Sequence, residues 1–269
     1  MNRVAITGAS GRMGRTLVRL LQNHDELVLT QASDRHDSPA IDRDAGFLDN
    51  LPDTGVTVAR ELDAQQLDTV IDFTHPTALS DHVSFCRRHN KALMVGTTGL
   101  GDSELDLLKA AGEDICVVLA ANTSVGVNLC ASLAATAAEV IGPVTDIEIV
   151  ESHHRHKVDA PSGTALYLGQ SIADVLGKDL KRDGVYQRHG QTGERPDGSI
   201  GFSTIRGGDI AGEHTVMFIG ENERIEITHR ATDRVIFARG ALRAAEWVTR
   251  KQLKGEKGFF GMREVLGLN

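Results

Sequence analysis

The first half of the chain alternates short apolar segments with segments whose apolar residues recur at helical spacing. The strand-like segments are Arg3–Thr7, Leu27–Ala32, Asp68–Phe73, Ala92–Val95 and Ile115–Ala120. In the first predicted helix, Met13, Leu17, Leu20 and Leu21 form one apolar face. The other predicted helices are Pro76–Arg88, Ser103–Ala111 and Val125–Ile141. Strands that are apolar along their whole length are typical of a parallel sheet covered on both faces. This half therefore predicts an α/β domain.

The second half has a different pattern. Its predicted strands are Asp146–Val150, Gly201–Ile205, His214–Ile219 and Arg224–His229, and its predicted helices are Ser162–Leu176 and Asp233–Arg250. A polar stretch at 177–198 is expected to be an exposed loop with a short strand near Val185–Arg188. We interpret this half as an inserted domain followed by a return to the first. The predicted domains are 1–124 with 235–269, and 125–234.

Composition narrows the class of protein. Hydrophobic residues make up 41% of the chain and charged residues 25%, as in ordinary globular proteins. The net charge is −8 and no basic cluster carries interleaved aromatic residues, so we expect no nucleic-acid partner. No window approaches ~20 uninterrupted apolar residues, so we expect no membrane span. Strand-like residues directly after Met1 leave no room for a signal peptide. Three cysteines without CxxC spacing (Cys86, Cys116 and Cys130) favour buried reduced thiols and a cytoplasmic location.

A glycine-rich turn joins the first strand to the first helix. The residues from Gly8 to Gly14 read GASGRMG, a G-x-x-G-x-x-G spacing. Glycine there permits a sharp turn, close approach of a phosphate to the backbone, and close packing of helix on strand, while the helix N–H groups face the anion. Twenty residues after Gly14 stand Asp34, which could bond a ribose 2′-hydroxyl, and Arg35, which could pair with a 2′-phosphate. We therefore expect a dinucleotide site that accepts NADH or NADPH.

Other predicted strands end in small or hydroxyl-bearing residues. Ligands of parallel sheets bind at the carboxyl ends of the strands. The segments at those ends are Phe73-Thr74-His75, Gly96-Thr97-Thr98 and Ala120-Ala121-Asn122-Thr123. They suit a nicotinamide and its ribose, although each by itself is also compatible with an ordinary loop.

A histidine-rich loop follows the first strand of the inserted domain. Residues 151–157 read ESHHRHK, and the next segment, DAPSGT, is typical of a helix start. Such a basic loop before a helix N-terminus suits a small substrate that bears carboxylates, and histidine and lysine can exchange protons with it. A solvated basic loop is one alternative. A metal site is another, formed by His153, His154 and His156 with Glu151 or Asp159. Two of these histidines are adjacent and the nearby cations would repel a metal ion, so we expect no metal.

Two kinds of function remain open from these residues alone. One is a nicotinamide-dependent reductase of a small carboxylated substrate, such as an imine or an aldehyde, and the other is a non-catalytic NAD(P)-sensing protein. The Tyr-x-x-x-Lys pair of short-chain dehydrogenases is missing, because Tyr167 is followed four residues later by Ser171 and Tyr186 by Gly190.

Residues 151–165, ESHHRHKVDAPSGTA, resemble the signature of the 4-hydroxy-tetrahydrodipicolinate reductase family, also called dihydrodipicolinate reductase. Further similar segments are GASGRMG at 8–14, IDFT at 71–74, VGTTG at 95–99, AANTSVGVN at 120–128 and GDIAGEHTVMF at 208–218. The resemblance implies a Rossmann-like parallel-sheet domain with an inserted α+β domain, a mixed open sheet for substrate binding and oligomerisation. It also implies a homotetramer, and NAD(P)H-dependent reduction of a dicarboxylate in diaminopimelate and lysine biosynthesis.

The resemblance also implies roles for individual residues. His153 would donate and accept a proton, and Lys157 would donate one. The substrate would contact His154, Gly163, Thr164 and Arg234. The nucleotide would contact Gly8, Ala9, Ser10, Gly11, Arg12, Met13, Asp34, Arg35, Gly96, Thr97, Thr98, Ala120, Ala121, Asn122 and Thr123. Two positions depart from the family, which often has phenylalanine in place of Thr123 and arginine in place of His75.

Overall fold

A computed structural model describes residues 1–268 and divides the chain into two compact units. Unit 1 contains Met1–Val125 and the segment from Val235 onward, and unit 2 is Gly126–Arg234. Unit 1 is therefore discontinuous in sequence, with unit 2 inserted into it.

Unit 1 is built on a seven-stranded parallel sheet whose order is β12-β6-β5-β4-β1-β2-β3. Numbered along the chain, its strands are β1 Asn2–Thr7, β2 Leu27–Ser33, β3 Val58–Ala59, β4 Thr69–Asp72, β5 Ala92–Val95, β6 Cys116–Leu119 and β12 Gly258–Phe260. Its helices are α1 Arg12–Leu21, α2 Pro76–Arg88, α3 Asp102–Ala111, α7 Val235–Leu253 and α8 Met262–Leu266.

Neighbouring residues of the central strands enter different cores. Val4 and Ile6 of β1 lie in the core beneath α1 and α7, whereas Ala5 between them lies in the core beneath α2 and α3. Both faces of the sheet are thus covered, which explains why these strands are apolar throughout. The Rossmann-like parallel sheet predicted from the sequence is confirmed.

Unit 2 contains a mixed five-stranded sheet of order β11-β10-β7-β9-β8. Its strands are β7 Asp146–His153, β8 Gly184–Val185, β9 Ile200–Arg206, β10 Gly212–Ile219 and β11 Arg224–Ala231, and its helices are α4 Val125–Ile141, α5 Gly163–Leu176 and α6 Leu180–Asp183. Helices α4 and α5 pack on one face of the sheet around Ile149, Phe202 and Phe218. The predicted mixed sheet is confirmed.

Differences from the sequence predictions concern short elements. Strands β3 and β12 and helices α6 and α8 were not predicted, because two to five residues carry too little periodic pattern to identify. The short strand near Val185–Arg188 lies instead at Gly184–Val185. Cys86 and Cys116 are buried as expected, but Cys130 is only half-buried.

The segment Val125–Val144, which contains α4 and the helical turn after it, is long and apolar enough to cross a membrane by length and composition, with a mean hydropathy of 1.5. Its small residues Ala131, Ala134 and Ala138 are buried in the core of unit 2. Only 39% of this apolar window is buried, since Leu129, Leu133 and Val140 are exposed.

Candidate active site

The glycine-rich turn brings α1 against the end of β1. Gly8 adopts a φ of +70°, which favours glycine. A methyl group at Gly14 would overlap the carbonyl oxygen of Gly8 and lie 2.7 Å from that of Ala9, so helix and turn are in contact through bare backbone. The residue before the helix is Gly11, and within residues 1–268 no side chain caps its first turn. The turn thus fits a pyrophosphate, which would receive the N–H groups of that turn.

Asp34 lies beside this turn, just beyond the carboxyl end of β2. One of its carboxylate oxygens accepts a hydrogen bond from the backbone N–H of Ser10 at 2.8 Å, and the other accepts one from the N–H of Arg35 at 2.8 Å. The acid is thereby fixed at the turn. The Arg35 guanidinium is exposed and forms an ion pair of 3.0 Å with Asp37.

A buried carboxylate organises the ends of β4 and β5. Asp72 is fully buried and accepts hydrogen bonds from Thr74, Thr97 and His82, the last at 2.6 Å. Burial alone would raise the pKa of Asp72, but the hydrogen bonds and the charge of His82 lower it below its usual value. Asp72 therefore stays ionised and holds together the loops after two neighbouring strands.

The hydroxyl groups at the strand ends are not all available to a ligand. Thr97 donates to Asp72, and Thr123 is buried and donates to the Phe237 carbonyl oxygen at 2.7 Å. Thr98 and Ala121 are exposed, whereas Gly96 and Ala120 are buried. A methyl group at Gly96 would overlap the ring of Phe73. The predicted residues thus divide into exposed ones and ones that brace the loops.

In unit 2, β7 places two polar residues on its buried face. Ile147, Ile149, Glu151 and His153 alternate along the strand and point toward the core. The first two are apolar as expected, whereas Glu151 is 1% and His153 9% exposed at the carboxyl end of the strand. The sequence indicates Glu151 only as a candidate metal ligand. Its burial could have been predicted from a charged residue on the inward face of an alternating strand.

Both oxygens of Glu151 have several partners. Arg206 of β9 donates to both of them at 2.7 Å, the backbone N–H of Ser162 donates at 3.0 Å, and His153 Nδ1 lies 2.6 Å away. Burial would raise the pKa of Glu151, but Arg206, His153 and Ser162 outweigh it and lower the pKa to about 2. Glu151 is therefore an anion at neutral pH.

The pKa of His153 lies below its usual value, so the ring is neutral at pH 7. Burial lowers this pKa, the hydrogen bond and charge of Glu151 raise it, and the charges of Lys157 and Arg206 lower it. A neutral ring that donates from Nδ1 to Glu151 has an unprotonated Nε2. Such a nitrogen can accept a proton from a substrate.

His214 of β10 supports the start of α5. Ser162 caps this helix by accepting from the N–H of Ala165 at 3.1 Å, and its hydroxyl lies 2.9 Å from His214 Nε2. Burial, assisted by the nearby His153, lowers the pKa of His214 to about 4. The hydrogen bond between His214 and the Ser162 hydroxyl orients that hydroxyl to cap the helix.

The remaining predicted substrate contacts surround the same region of unit 2. The Lys157 ammonium forms an ion pair of 2.8 Å with Asp159. Arg234 Nη2 lies 3.4 Å from His154 Nε2. Gly163 and Thr164 form the first turn of α5. Cationic side chains and a helix N-terminus thus occur in one unit, which suits an anionic ligand.

Among residues 1–268, no cluster of three or more histidine, cysteine, aspartate or glutamate side chains could hold a metal ion.

Comparison with known proteins places both units in one family. Family models described as "Dihydrodipicolinate reductase, N-terminus" and "Dihydrodipicolinate reductase, C-terminus" match residues 2–123 and 126–266. A similar solved structure is a dipicolinate-bound dihydrodipicolinate reductase from Paenisporosarcina sp. TG-14, with 26% identity, 97% coverage of each chain and a TM-score of 0.75.

More distant structures share the fold alone. A probable dehydrogenase from Thermotoga maritima has 14% identity over 99% of this chain and 93% of its own, with a TM-score of 0.61. A DAP dehydrogenase from C. glutamicum, solved with DAP, has 14% identity over 100% and 94%, with a TM-score of 0.56. Because the two family models together span both units, the chain belongs to the dihydrodipicolinate reductase family, whose members are NAD(P)H-dependent oxidoreductases of lysine and diaminopimelate biosynthesis.

Proposed function

We propose that unit 1 binds NADH or NADPH, and that the β7–α5 region of unit 2 binds 4-hydroxy-tetrahydrodipicolinate and exchanges protons with it. The observation that carries this proposal is the buried Glu151–His153 pair next to the N-terminus of α5, in a chain whose family reduces this substrate. The reaction removes water from the cyclic dicarboxylate and reduces the resulting conjugated imine.

The nucleotide would be held by backbone and by strand-end residues. The turn Gly8–Met13 would bind the pyrophosphate, Asp34 the adenosine ribose and Arg35 a 2′-phosphate. The loops that contain Gly96–Thr98 and Ala120–Thr123 would face the nicotinamide, with Thr97 and Thr123 bracing them from inside. When bound, the nicotinamide supplies a hydride to C4 of the substrate ring.

The substrate carries two carboxylates, and the region has two kinds of group to receive them. The first turn of α5, at Gly163 and Thr164, offers the positive end of a helix. Arg234 and His154 offer a guanidinium and an imidazole. Two separate anion sites would hold the ring at both ends and fix which of its carbons faces His153.

His153 and Lys157 would share the proton transfers. As the C4 hydroxyl leaves, His153 Nε2 accepts the proton from the ring carbon between C4 and the imine carbon, and the Lys157 ammonium protonates the leaving oxygen to give water. After reduction at C4, the electron pair rests on the same carbon and the ring nitrogen, and His153 returns its proton to that carbon. Lys157 regains a proton from solvent, so one proton is consumed in each turnover. General acid–base assistance of this kind contributes roughly 10²–10⁴-fold.

The proposal is tested by following the oxidation of NADH and of NADPH with substrate generated from pyruvate and aspartate semialdehyde. We expect turnover with both nucleotides. Arg35→Ala should raise the KM for NADPH about tenfold and change the KM for NADH little, because only NADPH has a 2′-phosphate to lose its partner. Failure of both nucleotides to support turnover would reject the proposed reaction. An equal effect of Arg35→Ala on the KM for NADPH and on the KM for NADH would reject the role of Arg35 in binding the 2′-phosphate.

We also propose that the chain forms a homotetramer through the uncovered face of the unit 2 sheet, and acts in the cytoplasm. Val150, Thr215 and Met217 point away from the helices and are half-exposed, and Ile205 is 50% exposed. Strand β11 lies at the edge of the sheet, and an unpaired strand edge beside exposed apolar residues is usually covered by a partner. The free cysteines accord with a reducing compartment.

Sedimentation equilibrium is expected to give four times the chain mass for the wild type. Met217→Arg should give a smaller species, because it places a charge in the centre of the proposed interface. A matched change on the exposed surface, Arg60→Met, should leave the tetramer intact. A monomeric wild type would contradict the proposal.

A further inference from the structure

Glu151 connects three elements of unit 2. It belongs to β7, accepts hydrogen bonds from Arg206 of β9, and accepts one from the backbone N–H of Ser162, the residue that begins α5. Thr204 of β9 adds a further hydrogen bond at 3.3 Å. The carboxylate is therefore fully engaged, and it touches none of the groups to which the reaction assigns a proton except His153.

We propose that Glu151 is a positioning residue that holds His153 in the tautomer protonated at Nδ1 and fixes its ring relative to the N-terminus of α5. The inference rests on the proposed role of His153. It adds to the site a residue that neither the reaction chemistry nor the sequence motif requires. Glu151 acts only through other residues, since its oxygens are occupied within the protein.

The geometry fixes the tautomer. A carboxylate accepts hydrogen bonds and donates none, so the imidazole nitrogen 2.6 Å from Glu151 must carry the proton. The other ring nitrogen lies beside Gly212 of β10, where a methyl group would be 3.1 Å from it. Because Gly212 has no side chain, the space next to His153 Nε2 stays open.

Arg206 keeps Glu151 from taking the proton itself. Its guanidinium donates to both carboxylate oxygens, so a proton on Glu151 would cost one of these charge-assisted hydrogen bonds. A further hydrogen bond from Arg206, to the Asp159 carbonyl oxygen at 2.7 Å, fixes the guanidinium in place. The proton therefore remains on the imidazole.

The Glu151 carboxylate also sets the distance between His153 and the proposed anion site at the N-terminus of α5. One oxygen contacts Ser162 and the other contacts His153, so the start of α5 and the imidazole are held by one planar group. His214 holds the hydroxyl of Ser162 from the other side. A carboxylate bound at α5 would thus be presented to His153 at a fixed position.

The charged and titratable groups around His153 come from four elements. Glu151 shares its strand, Arg206 lies on β9, His214 lies on β10 with its ring 5.1 Å away, and Lys157 belongs to the following loop. Of these, Glu151 favours the protonated imidazole and the cations oppose it. Removal of the negative charge should therefore lower the pH at which His153 titrates.

The test combines imidazole ¹⁵N NMR of the nucleotide-free protein with steady-state kinetics. In the wild type at pH 8, we expect His153, assigned by its loss in His153→Gln, to be protonated at Nδ1. In Glu151→Gln, we expect a mixture of tautomers, a His153 titration shifted to lower pH, and a kcat lower by roughly 10–100-fold, with the Kd for NADH unchanged. Glu151→Asp, which keeps the charge, should recover the titration of His153 better than it recovers kcat.

Asp183→Asn is the matched control. Asp183 is also a carboxylate of unit 2 that accepts hydrogen bonds from an arginine on both of its oxygens, here from Arg182, but it lies on α6 and not on β7. This variant should keep the wild-type tautomer and kcat.

A wild-type His153 protonated at Nε2 would overturn the inference, and this measurement holds even if Glu151→Gln fails to fold. Wild-type kcat and tautomer in Glu151→Gln, with His153→Gln inactive, would overturn it as well. Full activity of His153→Gln would instead reject the proposed role of His153.

Discussion

His153→Gln or Lys157→Ala is expected to lower turnover at least ~100-fold while the Kd for NADH stays within about twofold of the wild type. Each change removes a group that transfers a proton in the proposed reaction. Neither residue belongs to unit 1, where the nucleotide would bind. Stopped-flow turnover and fluorescence titration with NADH measure the two quantities separately.

The two variants should leave different charged groups behind in the site. Loss of His153 leaves the anionic Glu151 with Arg206 but without its imidazole, whereas loss of Lys157 leaves Asp159 exposed and solvated. His189→Gln, in the exposed loop before β9, serves as the control and should retain full turnover. Ordinary turnover in both His153→Gln and Lys157→Ala, with cofactor binding retained, would refute the assignment.

Gly14→Ala is expected to weaken NADH binding at least ~10-fold and to destabilise unit 1 by about 1–3 kcal/mol. The added methyl group would meet the carbonyl oxygens of Gly8 and Ala9, which are backbone atoms and cannot rotate away. Helix α1 would have to move off the turn, and the N–H groups of its first turn would move with it. Calorimetric titration with NADH and urea unfolding measure the two effects.

Gly220→Ala provides the comparison for this prediction. It lies in the turn between β10 and β11, and its methyl group would make ordinary contacts of 3.6 Å or more. Its stability and its affinity for NADH should remain close to those of the wild type. A Gly14→Ala protein with wild-type NADH affinity would show that the turn does not bind the pyrophosphate.

The long elements of both units could be predicted from the sequence because their patterns repeat over many residues. The parallel sheet that contains β1, β4, β5 and β6 follows from strands that are apolar on both faces, and the glycine turn follows from the spacing of its glycines. Strand β12 could not be predicted, since its three residues form a strand only because β6 presents an edge to them.

The candidate site was only partly accessible to sequence reasoning. The histidine-rich loop and the helix start at Ser162 stand next to each other in the chain and could be identified together. The partners of Glu151 could not, because Arg206 is 55 residues away and the contact depends on the register of β7 with β9. Likewise, the hydroxyls of Thr97 and Thr123 look like ligands in the sequence, but they are used to brace loops.

The inserted position of unit 2 has a consequence for synthesis of the chain. Helix α7 packs on β4, β5 and β6, and its Thr249 hydroxyl meets that of Thr69 at 2.5 Å, yet both α7 and β12 emerge from the ribosome after the whole of unit 2. Until then, the nascent amino-terminal sheet lacks the α7 layer on one face and the β12 strand at one edge. Unit 2 is continuous in sequence and is free to fold first. A nascent chain that ends at residue 234, followed by a linker long enough to clear the ribosome exit tunnel, should therefore carry a protease-resistant unit 2 and a protease-sensitive unit 1.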